Sequence, residues 1–319
     1  TMKRILVTGA TGQLGSELTM ALRHVYGDDN VVAAGHRRQH DADLLQSGPC
    51  CSLDVRDATS LQEVANQYRV DTIFHLASVL SAVAEQNPQL AWEINMGGLH
   101  KVLEGARQYG WAVFFPSSIG AFGPSTPLEN TPQVTIQRPN TIYGITKLAG
   151  ELLCDYYHHR FGVDVRGLRL PGLISYKTPP GGGTTDYAVE IFYSAITEGR
   201  YVCFLKADTR LDMMYMPDAI RSAIMLMEAD GECLIHRNAY NVTAMNFTPR
   251  ELAVQIRTFI PGFSIEYDID PVRQAIADSW PRYMDDSAAR SEWGWEPRYD
   301  LAATTTEMLA RLAVKLGKP

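Results

Sequence analysis

The stretch Arg4-Ile5-Leu6-Val7-Thr8-Gly9-Ala10-Thr11-Gly12-Gln13-Leu14-Gly15 decides the fold of this chain. Its first five residues read as a short buried strand. Leu14, Leu18, Leu22 and Val25 then recur at helical spacing. Between strand and helix lies a turn with three glycines. Working outward, strands read at residues 31–34, 72–76, 111–115 and 165–170. Helices read from Ser60-x-x-Glu63, a capping box ahead of Val64 and Tyr68, from about Leu90 to Tyr109, and from near Tyr143 to Phe161. Continuous apolar strands separated by helices imply a parallel sheet covered on both faces. Right-handed crossovers make it a doubly wound α/β fold of Rossmann type. Residues 1–171 are expected to form this dinucleotide-binding domain, with Met213–Met216 and Tyr240–Thr243 returning to its sheet. Residues 172–319 are expected to build mainly a smaller substrate lobe, interleaved with the first. There Thr248-Pro249-x-Glu251 marks a helix start.

The composition agrees. In 319 residues, 45% are hydrophobic and 20% charged, which supports a sizeable core and excludes wholesale disorder. The net charge of −7, with no basic block, argues against nucleic acid and anionic membranes as partners. No apolar run approaches a membrane span. Cys50, Cys51, Cys154, Cys203 and Cys233 are odd in number and lack zinc-ligand spacing, so no metal is expected and a reducing compartment, the cytoplasm, is the simplest reading. A strand so close to the start leaves no room for a leader peptide.

The glycine turn at Gly9, Gly12 and Gly15 opens a helix. There the backbone can bend sharply and bring its amides to a pyrophosphate, where the helix dipole favours an anion. An acidic residue about 20 positions on would bind the adenosine ribose. It is missing: the second strand runs into Gly35-His36-Arg37-Arg38. His36 and Arg37 could instead accept a 2′-phosphate, or form a solvated basic turn, which leaves NAD and NADP both open. Asp54 could meet the adenine amino group or serve as a turn residue.

Tyr143 and Lys147 stand four apart on one helix face. Phenol ionises near pH 10. A nearby ammonium and a positive nicotinamide ring both favour the phenolate, which can then take a proton from a substrate alcohol. Pro116-Ser117-Ser118 ends the 111–115 strand at the sheet edge where open α/β folds bind ligands. Ser118 can hold the reacting oxygen beside Tyr143, while one of the two serines is expected to do only turn or capping work.

Gly9, Gly12 and Gly15, with Ser118, Tyr143, Lys147 and Asn95, resemble the extended short-chain dehydrogenases/reductases, which include nucleotide-sugar epimerases. In that group Asn95 would prop its helix and help order a proton-relay water. Further stretches resemble the short-chain-type L-threonine 3-dehydrogenase family: Leu80-Ser-Ala82, Pro116-Ser-Ser-Ile-Gly-Ala-Phe-Gly123, Pro171-Gly-Leu-Ile-Ser175, Pro179-Pro-Gly-Gly-Gly-Thr-Thr-Asp-Tyr-Ala188, Met213-Met-Tyr-Met216, Ala277-Asp-Ser-Trp-Pro281 and Trp293-Gly-Trp295. That resemblance implies NAD-linked oxidation of the C3 hydroxyl of L-threonine to 2-amino-3-oxobutyrate, and a homodimer. It implies cofactor contacts at Gln13, Leu14, Val55, Leu76, Ala77, Pro171 and Leu173 besides those above. Ser81, Thr184 and Thr185 can offer hydroxyls to a small zwitterion, Gly182 can offer backbone, and Trp280 can wall the pocket. The glycine run would act as a lid, or as a connection ending in a Thr185 or Asp186 cap. Two departures stand out: Gly35, where the family carries an acidic residue, and Leu170, where tyrosine is usual.

Two rivals remain. A nucleotide-sugar epimerase or dehydratase usually places a diphosphate-binding arginine where this chain has Leu211, with Arg210 one place earlier. A non-catalytic dinucleotide sensor would have no reason to keep Ser118, Tyr143 and Lys147 together.

Overall fold

In the computed structural model, which describes residues 2–318, the apolar runs of the first half become β1 (Ile5–Thr8), β2 (Val31–Gly35), β3 (Cys50–Ser52), β4 (Thr72–His75), β5 (Ala112–Ser118) and β6 (Val165–Leu170). β1, β2, β4 and β6 are buried at every position, as strands covered on both faces must be. The later strands are β7 (Gly172–Ile174), β8 (Arg200–Cys203), β9 (Leu211–Tyr215), β10 (Tyr240–Asn241), β11 (Met245–Phe247) and β12 (Ser264–Tyr267).

The main sheet has seven parallel strands in the order β10-β6-β5-β4-β1-β2-β3. The chain winds one way from β1 to β3 and the other way from β4 onward. The reversal lies between β1 and β4, and the crevice outside their carboxyl ends is where such sheets take ligands. Alternate strand residues point to opposite faces. Ile5 and Val7 pack with Leu18 and Leu22 of the helix Gln13–Tyr26 and with Ala219, Ala223 and Leu226 of the helix Met216–Glu228. Leu6 packs on the other face with Leu99, Val102 and Leu103 of the helix Gly98–Tyr109 and with Cys154 and Tyr157 of the helix Ile142–Phe161. A third core joins Phe192, Tyr215, Phe247, Leu252 and Leu312 in the C-terminal part.

Several expectations are corrected. Tyr240 and Asn241 rejoin the main sheet, but Met213–Tyr215 does not; β9 lies between β11 and β7 in a separate sheet of three strands. The third helix, Ala58–Tyr68, starts before Ser60, because the Asp57 carboxylate already accepts from the amides of Thr59 and Ser60. The expected helix over residues 90–109 is interrupted: Pro88–Trp92 and Gly98–Tyr109 flank a wide π turn, Glu93–Gly97. Val25 ends its apolar face in solvent. At Thr248 the capping box is complete, with Thr248 Oγ1 accepting from Glu251 N at 3.2 Å and Glu251 Oε2 accepting from Thr248 N at 3.1 Å. Among the described residues no helix is long and apolar enough to cross a membrane.

Candidate active site

The glycine turn is a tight cradle. Gly9 has φ +67°, and a Cβ there would stand 2.6 Å from Ala77 N and 2.7 Å from the Leu76 carbonyl carbon. A Cβ on Gly15 would come within 2.1 Å of Gly9 O. The turn thus packs directly on Leu76 and Ala77 at the end of β4. Gly12 caps the helix Gln13–Tyr26 without a side-chain hydrogen bond, and the first helical turn holds no acidic residue. The amides around Gln13, Leu14 and Gly15 are left to an anion, so a dinucleotide pyrophosphate fits this end of the helix. Pro171 and Leu173 sit at the carboxyl end of β6 and in β7, on the far side of the crevice. Ser175 Oγ, just beyond, donates to Glu17 Oε2 on the glycine-turn helix at 2.5 Å.

Asp54 is not a free acceptor. Its carboxylate takes Arg56 Nη2 at 2.7 Å and Arg56 Nε at 3.0 Å, with His36 Nε2 at 3.5 Å. These contacts, Arg56 foremost, hold its pKa down to about 2. Val55 is turned inward, where a Cβ on Gly98 would meet its Cγ2 at 2.7 Å. Arg56 was not among the sequence candidates, although two positions after an aspartate is a spacing that permits such a pair.

Ser118 and Tyr143 do converge. A Cβ built on Gly120 would stand 3.1 Å from Tyr143 Cδ1 and Cε1 and 3.4 Å from Ser118 Oγ. Gly120 therefore leaves the gap in which phenol and hydroxyl face each other. Thr141 Oγ1 caps the helix Ile142–Phe161 by accepting from Gly144 N at 3.0 Å, which sets Tyr143 in its first turn. Lys147, one turn on, is buried. Its Nζ lies 5.4 Å from the Tyr143 ring centre and donates to Pro116 O at 2.6 Å. Burial pulls the Lys147 pKa down to about 8, against the carboxylate of Glu151. Tyr143 departs from expectation. Burial pushes its phenol above the ordinary value, with Ser118 acting the other way, so the protein alone holds it neutral.

The two serines divide the work. Ser117 Oγ donates to Glu151 Oε1 at 2.5 Å, while Ser118 Oγ accepts from Gly120 N at 3.0 Å and stays at the cleft. Behind them lies a buried pair that sequence reading missed. Arg169 Nε and Nη2 reach Glu151 Oε1 and Oε2 at 3.0 and 2.9 Å. Tyr143, Lys147 and Glu151 share a spacing of four, and that is the signal that could have found it.

Asn95 lies in the π turn, a distortion frequent at functional sites. Its Oδ1 accepts from Val79 N at 2.7 Å, and its Nδ2 donates to Val79 O at 3.2 Å and Thr146 Oγ1 at 3.1 Å. It braces the loop after β4 against the Tyr143 helix. Together with Lys147, His75 and Thr146 it lines a small cavity about one water in size. Burial lowers the His75 pKa to about 3, so its imidazole is neutral; its Nδ1 lies 3.0 Å from Thr8 Oγ1.

The substrate candidates fare unevenly. Ser81 is buried and begins a short helix, Ser81–Gln86. Thr184 is buried, and Thr185 packs on β7, where a Cβ on Gly172 would meet its Cβ and Cγ2 at 2.8 Å. Gly182 has φ +88°. The Asp186 carboxylate turns back to accept from Gly183 N at 2.6 Å, so it ties the glycine run instead of capping the helix Tyr187–Thr197. That amide is spent internally. Trp280 belongs to the C-terminal core rather than to an open wall.

A family model described as NAD dependent epimerase/dehydratase family matches residues 5–242. The chain belongs to that family. It is an α/β enzyme of the NAD-dependent epimerase/dehydratase superfamily, with the Rossmann sheet described above. A curated relative, an uncharacterized epimerase/dehydratase of Staphylococcus saprophyticus, is 54% identical over 308 residues, covering 97% of this chain and 96% of its own. Among solved structures, L-threonine dehydrogenase from Clostridium difficile is 56% identical with a TM-score of 0.97, covering 98% of both chains. A GalE-like L-threonine dehydrogenase from Cupriavidus necator is 50% identical with a TM-score of 0.94, over 97% of this chain and 99% of that one. L-threonine 3-dehydrogenase from Trypanosoma brucei is 38% identical with a TM-score of 0.95, over 100% and 99%.

Proposed function

We propose that this enzyme oxidises the C3 hydroxyl of L-threonine to 2-amino-3-oxobutyrate, with a nicotinamide dinucleotide as acceptor and Tyr143 as general base. The observation that carries the reading is the meeting of Ser118 Oγ and the Tyr143 ring around Gly120, backed by Lys147. The names of the similar solved structures supply the substrate. The glycine cradle would hold a nicotinamide dinucleotide, which would supply the hydride acceptor. Ser118 holds the substrate oxygen, and Tyr143 Oη takes its proton. The Lys147 ammonium stabilises the phenolate in a dry setting where charges couple strongly. Asn95 keeps the Tyr143 helix in register with the loop after β4. Ser81, Thr184 and Thr185 are short polar groups suited to a small zwitterion.

The nucleotide-sugar alternative lacks its arginine. Leu211 is buried, and Arg210 is spent on Glu251 Oε1 at 2.5 Å and Asn246 Oδ1 at 2.9 Å. The proposal extends to a homodimer. Ile145, Leu152 and Tyr156 lie exposed along one face of the helix Ile142–Phe161, and Leu80, Val83 and Trp92 are exposed on neighbouring segments. The five free cysteines suit a reducing compartment such as the cytoplasm.

The test is reduced-nicotinamide absorbance with L-threonine and each of NAD and NADP. An epimerase recycles its cofactor and would release no reduced nicotinamide. Tyr143→Phe is expected to lower kcat at least about a hundredfold; turnover within a few-fold of wild type would remove the general-base assignment. Sedimentation showing only monomer at micromolar concentration would remove the dimer.

A further inference from the structure

The corner beyond β2 is built for an anion the family name does not include. Gly35 ends the strand, and a Cβ there would stand 2.8 Å from Thr11 Cγ2 and 3.3 Å from the His40 ring. His40 Nε2 lies 3.0 Å from Ala33 O. The place from which an acidic side chain would reach the ribose diol is thus filled by a methyl group and an imidazole. Three carboxylates of the flanking segments are engaged. Asp54 is held by Arg56 and His36, and Asp41 caps its own helix by accepting from Leu44 N at 2.9 Å. Glu93 Oε2 lies 3.8 Å from Arg56 Nη1. Arg37 and Arg38 follow at once. Both are exposed, and among the described residues neither has a hydrogen-bond or ion-pair partner.

The corner adjoins the dinucleotide cradle. Ala10 N donates to Ala34 O at 3.0 Å, and Leu53 N donates to Gly35 O at 2.7 Å, so the ends of β1, β2 and β3 meet here. Two unpaired guanidiniums, with a histidine on the same turn, form a recognition set for a phosphomonoester, which each arginine can grip through two parallel N–H donors. A ribose diol, by contrast, seeks a carboxylate acceptor at the end of β2, where this chain has Gly35. We propose that Arg37 and Arg38, with His36, form a binding site for the 2′-phosphate of the adenosine ribose, so that NADP binds this enzyme more tightly than NAD. The inference rests on the dinucleotide reading of the cleft but not on threonine as substrate.

The test is calorimetric titration of the full chain with 2′,5′-ADP and with 5′-AMP, ligands that differ by the 2′-phosphate alone. The 2′-phosphate is expected to tighten binding about tenfold or more, the yield of one or two charge-assisted hydrogen bonds. The advantage should shrink as salt is raised and vanish in Arg37→Ser/Arg38→Ser, whose exposed positions leave the melting temperature unchanged. NADP and NAD themselves should rank the same way. Equal affinity for the two ligands would overturn the proposal while leaving the dinucleotide cleft standing. Failure of both to bind would overturn the two together. An advantage retained in the double variant would overturn the assignment to these arginines.

Discussion

Glu151→Gln tests whether the buried pair behind the helix Ile142–Phe161 supports the site. Glu151 and Arg169 are 1% and 5% exposed. The carboxylate accepts four donors: Ser117 Oγ at 2.5 Å, Arg169 Nε at 3.0 Å, Arg169 Nη2 at 2.9 Å and Gln137 Nε2 at 3.2 Å. An amide offers one oxygen in place of two, so one of its faces must set an N–H against an N–H. The guanidinium also loses its counter-charge. Removing one partner of a buried ion pair costs about 3–5 kcal/mol. Arg169 keeps Gln133 O at 2.7 Å and Asn241 Oδ1 at 3.1 Å, which favours the low end. At about 2 °C per kcal/mol for a large domain, the melting temperature should fall by about 6 °C. A second effect is specific to the site. The Glu151 carboxylate holds up the pKa of Lys147, which burial has already pulled down to about 8. Losing a charge one helical turn away should lower that pKa further. Lys147 would then shed its proton at a lower pH, and the ammonium that supports the Tyr143 phenolate would be lost earlier as pH rises. NMR titration of the isotope-labelled lysine ammonium, beside thermal melts, measures both effects. A melt within about 1 °C of wild type with an unmoved lysine midpoint would refute the reasoning.

Gly9→Ala should abolish measurable dinucleotide binding while the fold survives, because its Cβ would strike the Ala77 backbone at 2.6 Å from a left-handed φ of +67°; calorimetry with 5′-AMP and circular dichroism separate the two. Gly35→Asp must displace Thr11 and His40, and is expected to cancel the advantage of 2′,5′-ADP over 5′-AMP; an unchanged ratio would show that this turn does not set the choice. Asp212 is buried, and burial raises its pKa from 3.8 to about 8. The folded state therefore keeps a proton that the unfolded state gives up, and stability is lost as pH rises from about 4 to about 8. Asp212→Asn removes that loss. In urea unfolding, its stability relative to wild type should improve by up to about 1.4 kcal/mol per pH unit across this window. An equal difference at pH 5 and pH 8 would defeat the argument.

The doubly wound sheet was legible because its signals are local. Buried parallel strands are apolar runs, amphipathic helices repeat about every 3.6 residues, and the glycine turn sits between one of each. Gly9, Ser118, Tyr143 and Lys147 were legible for the same reason, since strand ends and helix turns place them. Less visible was where short segments dock. Met213–Tyr215 is as apolar as a main-sheet strand, yet it pairs with Gly172–Ile174 and Met245–Phe247. Nothing in a five-residue strand states its neighbour. The capping error at Ser60 is of another kind: an aspartate three positions earlier offered a stronger acceptor.

By itself the amino-acid order determined the α/β class, the glycine turn that opens the first helix and the pairing of Tyr143 with Lys147 on one helix. Tertiary structure alone decided which polar groups are left free to act. It gave Ser117 to Glu151 and left Ser118 at the cleft, engaged Asp54 with Arg56, sank Trp280 into the core, and raised the Tyr143 phenol while lowering the Lys147 ammonium. The reason is physical. Helix and strand periods are written in neighbouring residues, whereas burial and hydrogen-bond partnership depend on groups far apart in the chain that meet only when it folds.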